Sequence, residues 1–204
     1  MIVVADAAKG GFEIAGESGL ALLRQLAAID MAAPVVCAGA SHAWLISRAA
    51  NELHVREGRI VGSAPLALES ALRALTGLAM DASGAAVELA IAGVPPNRTV
   101  VAWEEASAFG QPLAAHLAPH AIAKLNDRLA DLWPPGPYVL ASAAARVVEA
   151  LVTGSRRRLT CFVPLDRGHV SARPVELGPD GVVRVLQPVL TRQEQTRLEN
   201  AVES

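Results

Sequence analysis

Gly62-Ser63-Ala64-Pro65-Leu66-Ala67-Leu68-Glu69-Ser70-Ala71-Leu72-Arg73-Ala74-Leu75 is the stretch on which the reading of this chain turns. Residues 59–62 read as a short apolar strand. Ser63 with Pro65 then opens a helix, because proline suits the first helical turn, where its missing N–H has no partner to lose. Leu68 and Leu72 stand at the i, i+4 spacing that shares one helix face. Arg73 points about 100° away from Leu72 around that helix.

The same alternation holds on the N-terminal side. Residues 2–5 read as a buried strand, 18–30 as a helix and 34–38 as a second strand. Ser41 is placed to cap a helix that runs to about residue 53. Strand, helix, strand, helix, strand predicts a parallel sheet with crossovers. The C-terminal side changes style. Strands are expected over 86–93 and 99–103, and helix over 111–132. The run Trp133-Pro134-Pro135-Gly136-Pro137-Tyr138 breaks the pattern and fixes the entry to an Ala-rich helix that Gly154 ends. Strands follow near 159–165, 173–177 and 182–186, with Pro179-Asp180-Gly181 as a turn. Thr191 and Glu194 form a capping box for a last helix. Trp103 and Trp133 are expected to pack between elements. The fold class is α/β followed by α+β, divided into residues 1–64 and 65–204.

Composition bounds the function. The chain has 204 residues, 52% of them apolar, enough to bury a full core. A net charge of −2 offers no basic face for nucleic acid. No apolar run reaches the ~18–20 residues of a membrane span, and the first residues lack the basic start of a signal peptide. Cys37 and Cys161 belong to no metal-spaced motif and suit a reducing cytoplasm, so no metal site is expected. Arg156-Arg157-Arg158 reads as a solvated turn between a helix and a strand.

Several motifs occur in a fixed order. Val3–Ala7 stands where a fourth parallel strand is expected. Gly16-Glu17-Ser18-Gly19-Leu20-Ala21-Leu22 matches a Gly-Glu-Ser-Arg-Leu-x-Leu loop, and Leu68-Glu69-Ser70-Ala71-Leu72 stands in the frame Leu-Asp-x-x-Arg. Gly93-Val94-Pro95-Pro96-Asn97 lies where Gly-Glu-His-Gly-Asp is expected, followed by Val100 to Trp103 and later by Leu190-Thr191-x-x-Glu194. In this colinear order the chain resembles the lactate/malate dehydrogenases. The resemblance implies a partial Rossmann-like parallel sheet (family strands 4–6) joined to the family's C-terminal domain. It also implies a homo-oligomer. The family binds NAD on a Gly-x-Gly-x-x-Gly turn, whose glycines let the backbone approach the pyrophosphate. No such motif occurs here, so no cofactor is expected for this chain alone. Strand 2–5 would then be an exposed edge able to pair with another chain, unless the protein is longer at its N-terminus.

The resemblance also locates the family's chemistry. The loop Arg that polarises the substrate carbonyl falls on Gly19, and the Asn that holds cofactor and substrate on Ala38. The Asp falls on Glu69, the carboxylate-binding Arg on Leu72, and the proton-shuttling His on Pro95. Acid–base catalysis alone is worth ~10²–10⁴ in rate, and no apolar side chain copies a bidentate guanidinium. The expected protein is catalytically silent, with a scaffold, assembly or ligand-sensing role. The alternative is an NAD-dependent oxidoreductase acting on a malate/lactate-like 2-hydroxy acid or a different substrate, with this chain part of a longer protein. A residual pocket for a small polar ligand would draw on Asp6, His42, Glu69, Asn97, Arg98 and Tyr138. The plainer expectations are that Asp6 caps a turn, that His42 faces solvent at a helix start, and that Glu13 and Glu17 are solvated. His116, His120 and His169 are dispersed.

Overall fold

The computed structural model describes residues 1–5, 17–28, 33–53, 58–165 and 168–203. Strand β1 (Ile2–Val4), helix α1 (Glu17–Ala27), strand β2 (Val35–Cys37), helix α2 (His42–Glu52) and strand β3 (Ile60–Gly62) come first. β1 pairs parallel with β2 and β2 with β3, so Val36 lies between Val3 and Val61. Side chains alternate across a strand. Val35 and Cys37 therefore pack with Leu20, Leu23, Leu45 and Ile46 of α1 and α2. Val36 packs on the opposite side, with residues of the C-terminal part of the chain. A strand buried on both faces tolerates only an apolar run such as Val-Val-Cys.

Helix α3 (Ala64–Ala79) leaves β3 and carries proline in its first turn, as expected. It is buried on two sides. Leu66 and Ala67 join Val147 and Leu151 in one cluster. Leu68 and Leu72 join Ile91, Val101 and Leu113 in another. The remaining elements are β4 (Val87–Glu88), β5 (Ile91–Val94), β6 (Arg98–Val101), β7 (Ser107–Ala108), β8 (Gln111–Pro112), α4 (Pro119–Asp127), α5 (Pro137–Thr153), β9 (Arg158–Pro164), β10 (Val170–Gly178), β11 (Gly181–Val185) and α6 (Arg192–Glu203).

One eight-stranded mixed sheet runs in the order β1-β2-β3-β9-β10-β5-β6, with β11 on β10. The parallel strands meet the antiparallel ones where Gly62 of β3 faces Phe162 of β9. A Cβ on Gly62 would lie 2.8 Å from Ile46 and 2.9 Å from Phe162, so glycine permits that junction. Trp133 meets the Phe162 ring edge-on with centroids 6.1 Å apart. The sheet is continuous across the 64/65 division expected from sequence, and the core clusters draw on both sides of it. Gly154, at φ 60°, ends α5 in the left-handed conformation that glycine adopts without steric cost. Thr191 and Glu194 make the reciprocal capping box at α6. The Thr191 N–H donates to Glu194 Oε2 at 2.7 Å, and the Glu194 N–H donates to Thr191 Oγ1 at 3.2 Å.

Three local expectations are corrected. The segment 111–132 is not one helix: β8, a 3₁₀ turn, α4 and a second 3₁₀ turn divide it. Pro112 and Pro119 interrupt the helical hydrogen bonding there. The strand expected over 86–93 is two strands in two sheets, since β4 pairs with β7 and β5 with β6 and β10. Finally, the Ser41 side chain makes no cap bond. Its backbone is already helical at φ −80° and ψ −4°, not in the extended form from which a cap reaches back.

Candidate functional site

Glu69 is the chemically loaded residue of α3. It is 7% exposed. Thr160 Oγ1, on β9, donates a hydrogen bond to its Oε2. Burial raises the Glu69 pKa above its ordinary 4.5; the Thr160 bond and then Arg73, Arg146 and Arg158 pull against that rise without cancelling it. The carboxyl opens on a cavity of about 360 Å³ lined also by Arg73, Glu88, Glu105, Arg157 and Arg158. Arg73 Nε donates to the Val87 carbonyl at 2.7 Å. Arg158 pairs with Glu105, whose other oxygen accepts the Val189 N–H at 3.2 Å. Two members of the arginine run are thus exposed side chains at the wall of a polar cavity. The sequence showed the run as solvated; it did not show the acid behind it.

The residues expected to form one pocket are dispersed. Asp6 and Glu13 lie outside the described residues. Asn97 and Arg98 line a different cavity, of about 590 Å³, with Asn126, Arg197 and Asn200. Tyr138 is 90% exposed at the start of α5 and lines neither cavity. His42 corrects the expectation of a solvent-facing side chain. It is 2% exposed, and its Nδ1 accepts the Gly39 N–H at 3.0 Å. His116, His120 and His169 are exposed and apart, as expected. Thr160 was not foreseen, because nothing local marks a partner 91 residues away from Glu69.

The two described strand-to-helix turns of the parallel sheet are closed. At the end of β2 the His42 ring fills the turn and takes the Gly39 N–H. At the end of β3, Gly62 and Ser63 are fully packed beneath Ile46 and Phe162. In these two turns the N–H groups of Gly39, His42 and Ser63 are bonded to His42 Nδ1 and to the Gly39 and Cys37 carbonyls. Among the described residues, no group of three His, Cys, Asp or Glu is placed to hold a metal ion. No helix among the described residues is long and apolar enough to cross a membrane.

The arrangement of the whole chain has clear counterparts. A malate dehydrogenase from Aeropyrum pernix superposes with a TM-score of 0.87 over 99% of this chain and 72% of its own, at 17% identity. The chain has the fold of the malate and lactate dehydrogenases. A lactate dehydrogenase from a Medee basin deep-sea metagenome gives a TM-score of 0.82 over 98% of this chain and 73% of its own, at 16% identity. A malate dehydrogenase from Salinibacter ruber gives 0.80 at 20% identity, over 92% and 66%. No family model and no curated protein matches the sequence.

Within this dehydrogenase fold, the five positions singled out by sequence are built into packing. Gly19 lies inside α1, where a Cβ would sit 3.0 Å from Leu45 of α2. Ala38 is buried, and its N–H donates to the Val4 carbonyl at 2.8 Å. Leu72 is 0% exposed among Leu68, Val87 and Ile91. Pro95 is buried in the β5–β6 turn. Glu69 turns to Thr160 on β9. Four of the five positions carry no polar side chain, and the fifth keeps a carboxyl bonded to Thr160.

Proposed function

We propose that this protein is a lactate/malate dehydrogenase-like chain that carries out no hydride transfer and serves as a scaffold or ligand sensor, assembled as a homo-oligomer in the cytoplasm. The observation that carries the reading is Leu72. At the position where the resemblance calls for a substrate-binding guanidinium, the chain puts a fully buried leucine inside an apolar cluster. A charge there would lose its hydration inside an apolar cluster. The closed turns after β2 and β3 support the same reading for NAD. The Gly39, His42 and Ser63 N–H groups there are bonded within the chain and are not offered to a pyrophosphate. The remaining polar chemistry is suited to recognition. Glu69 gives a buried carboxyl that donates a proton when neutral, and Arg73, Arg157 and Arg158 surround the cavity in front of it.

Titration of the purified protein with NADH, followed by nicotinamide fluorescence alongside native mass, tests the proposal. The expected result is a defined oligomer, no saturable binding up to millimolar NADH, and no NADH oxidation with pyruvate or oxaloacetate. Tight binding with turnover of either keto acid overturns it and returns the chain to the NAD-dependent oxidoreductases.

A further inference from the structure

Glu69 and Arg73 stand four residues apart on α3, the spacing at which an acid and a base of one helix pair. Here they do not pair. Arg73 Nε donates to the Val87 carbonyl on β4, and Glu69 Oε2 accepts from Thr160 on β9. Each side chain is thereby held by a neighbouring strand. Each also keeps polar atoms for the cavity of about 360 Å³ that both line. Glu69 keeps Oε1, and Arg73 keeps its two Nη groups. Arg157, ahead of β9, and Glu88, on β4, add one charge of each sign to the lining. Both are exposed, and neither is in an ion pair. Arg158 and Glu105 line the same cavity but are bound to each other. The cavity therefore holds uncommitted groups of both signs. A plain anion would satisfy the arginines and meet the acids unpaired, and a plain cation would do the reverse.

We infer that the cavity lined by Glu69, Arg73, Glu88 and Arg157 binds a free amino acid, with its carboxylate on the arginines and its ammonium group on the acids. The inference rests on the reading of this cavity as a recognition site and gives that reading a ligand class. A guanidinium matches the two oxygens of a carboxylate, and an ammonium group brings three donors to carboxyl oxygens. The volume suits a small molecule. Glu69 is buried and fixed by Thr160, and Arg73 is fixed by the Val87 carbonyl. Two of the four groups are thus in place before a ligand arrives, which lowers the entropy lost on binding. Leu89 gives the same cavity an apolar wall for the carbon skeleton.

Isothermal titration of the full chain with L-alanine and, separately, with γ-aminobutyrate tests the inference, since the two differ in the separation of their charges. Saturable binding of at least one is expected. Propionate and ethylamine each lack one charge of alanine, and butyrate and propylamine each lack one charge of γ-aminobutyrate. These analogues are expected to bind at least about tenfold more weakly than the parent amino acid. Arg157→Gln and Glu88→Gln are each expected to weaken the amino acid about tenfold. Both positions are exposed, so both variants keep the wild-type melting temperature, and folding loss does not cloud the result. No saturable binding of either amino acid, a singly charged analogue that binds as tightly as its parent, or an affinity that either substitution leaves intact overturns the inference. The NADH titration is decided separately. A chain inert to NADH that binds neither amino acid keeps the silent-scaffold reading and loses this one. A chain that binds an amino acid and also turns over a keto acid loses only the silence.

Discussion

Thr160 donates its hydroxyl to Glu69 across the contact between α3 and β9, and this bond accounts for where the only buried acid of α3 points. Without it, a carboxyl 7% exposed would lack a partner for Oε2. Burial nevertheless dominates, so the pKa stays above 4.5.

That shift has a sign for stability. Because the folded-state pKa is raised, the folded chain binds the proton more tightly than the unfolded chain. The contribution is fully present below about pH 4.5, the ordinary value, and is lost as pH rises through the folded-state pKa. Glu69→Gln keeps an oxygen for Thr160 and removes the charge. Its melting temperature is expected to exceed that of the wild type at neutral pH and to match it near the acid end of the range. Thermal melts of both proteins across pH check this, and a variant less stable at neutral pH would contradict it.

Leu72→Arg restores the residue type that the resemblance asks for, but inside an apolar cluster, one helical turn from Glu69, whose carboxyl is already bonded to Thr160. Leu72 packs among Leu68, Val87 and Ile91. An unpaired buried charge costs about 3–5 kcal/mol. Leu72→Met, which conserves volume, costs less than about 1.5 kcal/mol. Urea unfolding separates the two. Neither variant is expected to oxidise NADH with pyruvate or oxaloacetate.

Gly93 holds the turn that carries Pro95, Asn97 and Arg98. Its φ is 101°, and a Cβ would lie 2.1 Å from the Arg98 carbonyl oxygen. Gly93→Ala combines a disfavoured backbone with a backbone clash. A loss of about 3 kcal/mol is expected, measured by chemical unfolding.

Elements with local punctuation were legible in the sequence. Pro65 marked α3, Gly154 ended α5, and Thr191 with Glu194 marked α6, because each acts within one turn of its own position. The β7–β8 hairpin was not legible. It turns through Phe109 at φ 54° and Gly110 at φ 76°, and Phe is a residue that rarely takes the first of two positive φ values. The surroundings of Glu69 were not legible for a different reason. Which side of α3 meets β9 decides where Glu69 points, and that choice is made by Leu68 and Leu72 entering the cluster with Ile91 and Val101. Register between distant elements carries no local signature, so Thr160 was not visible as the partner. His42 shows the same limit, because the Gly39 N–H that it accepts exists only once the turn has formed.

The capping box at α6 gives a last test, of whether that helix is a stability unit of its own. Thr191 Oγ1 satisfies the Glu194 N–H, and Glu194 Oε2 accepts both the Thr191 N–H and its hydroxyl. Thr191→Ala leaves the Glu194 N–H without its cap and releases the Glu194 carboxylate toward Arg197, with which it shares a cavity wall. The loss is expected to be about 1 kcal/mol and confined to α6, whose apolar anchor in the sheet is Leu198 against Ala92 and Val100. Hydrogen exchange should therefore speed up at α6 amides and stay unchanged in β9 and β10. Exchange that speeds up equally across the whole sheet would show that α6 unfolds only with the rest of the protein and is no separate unit.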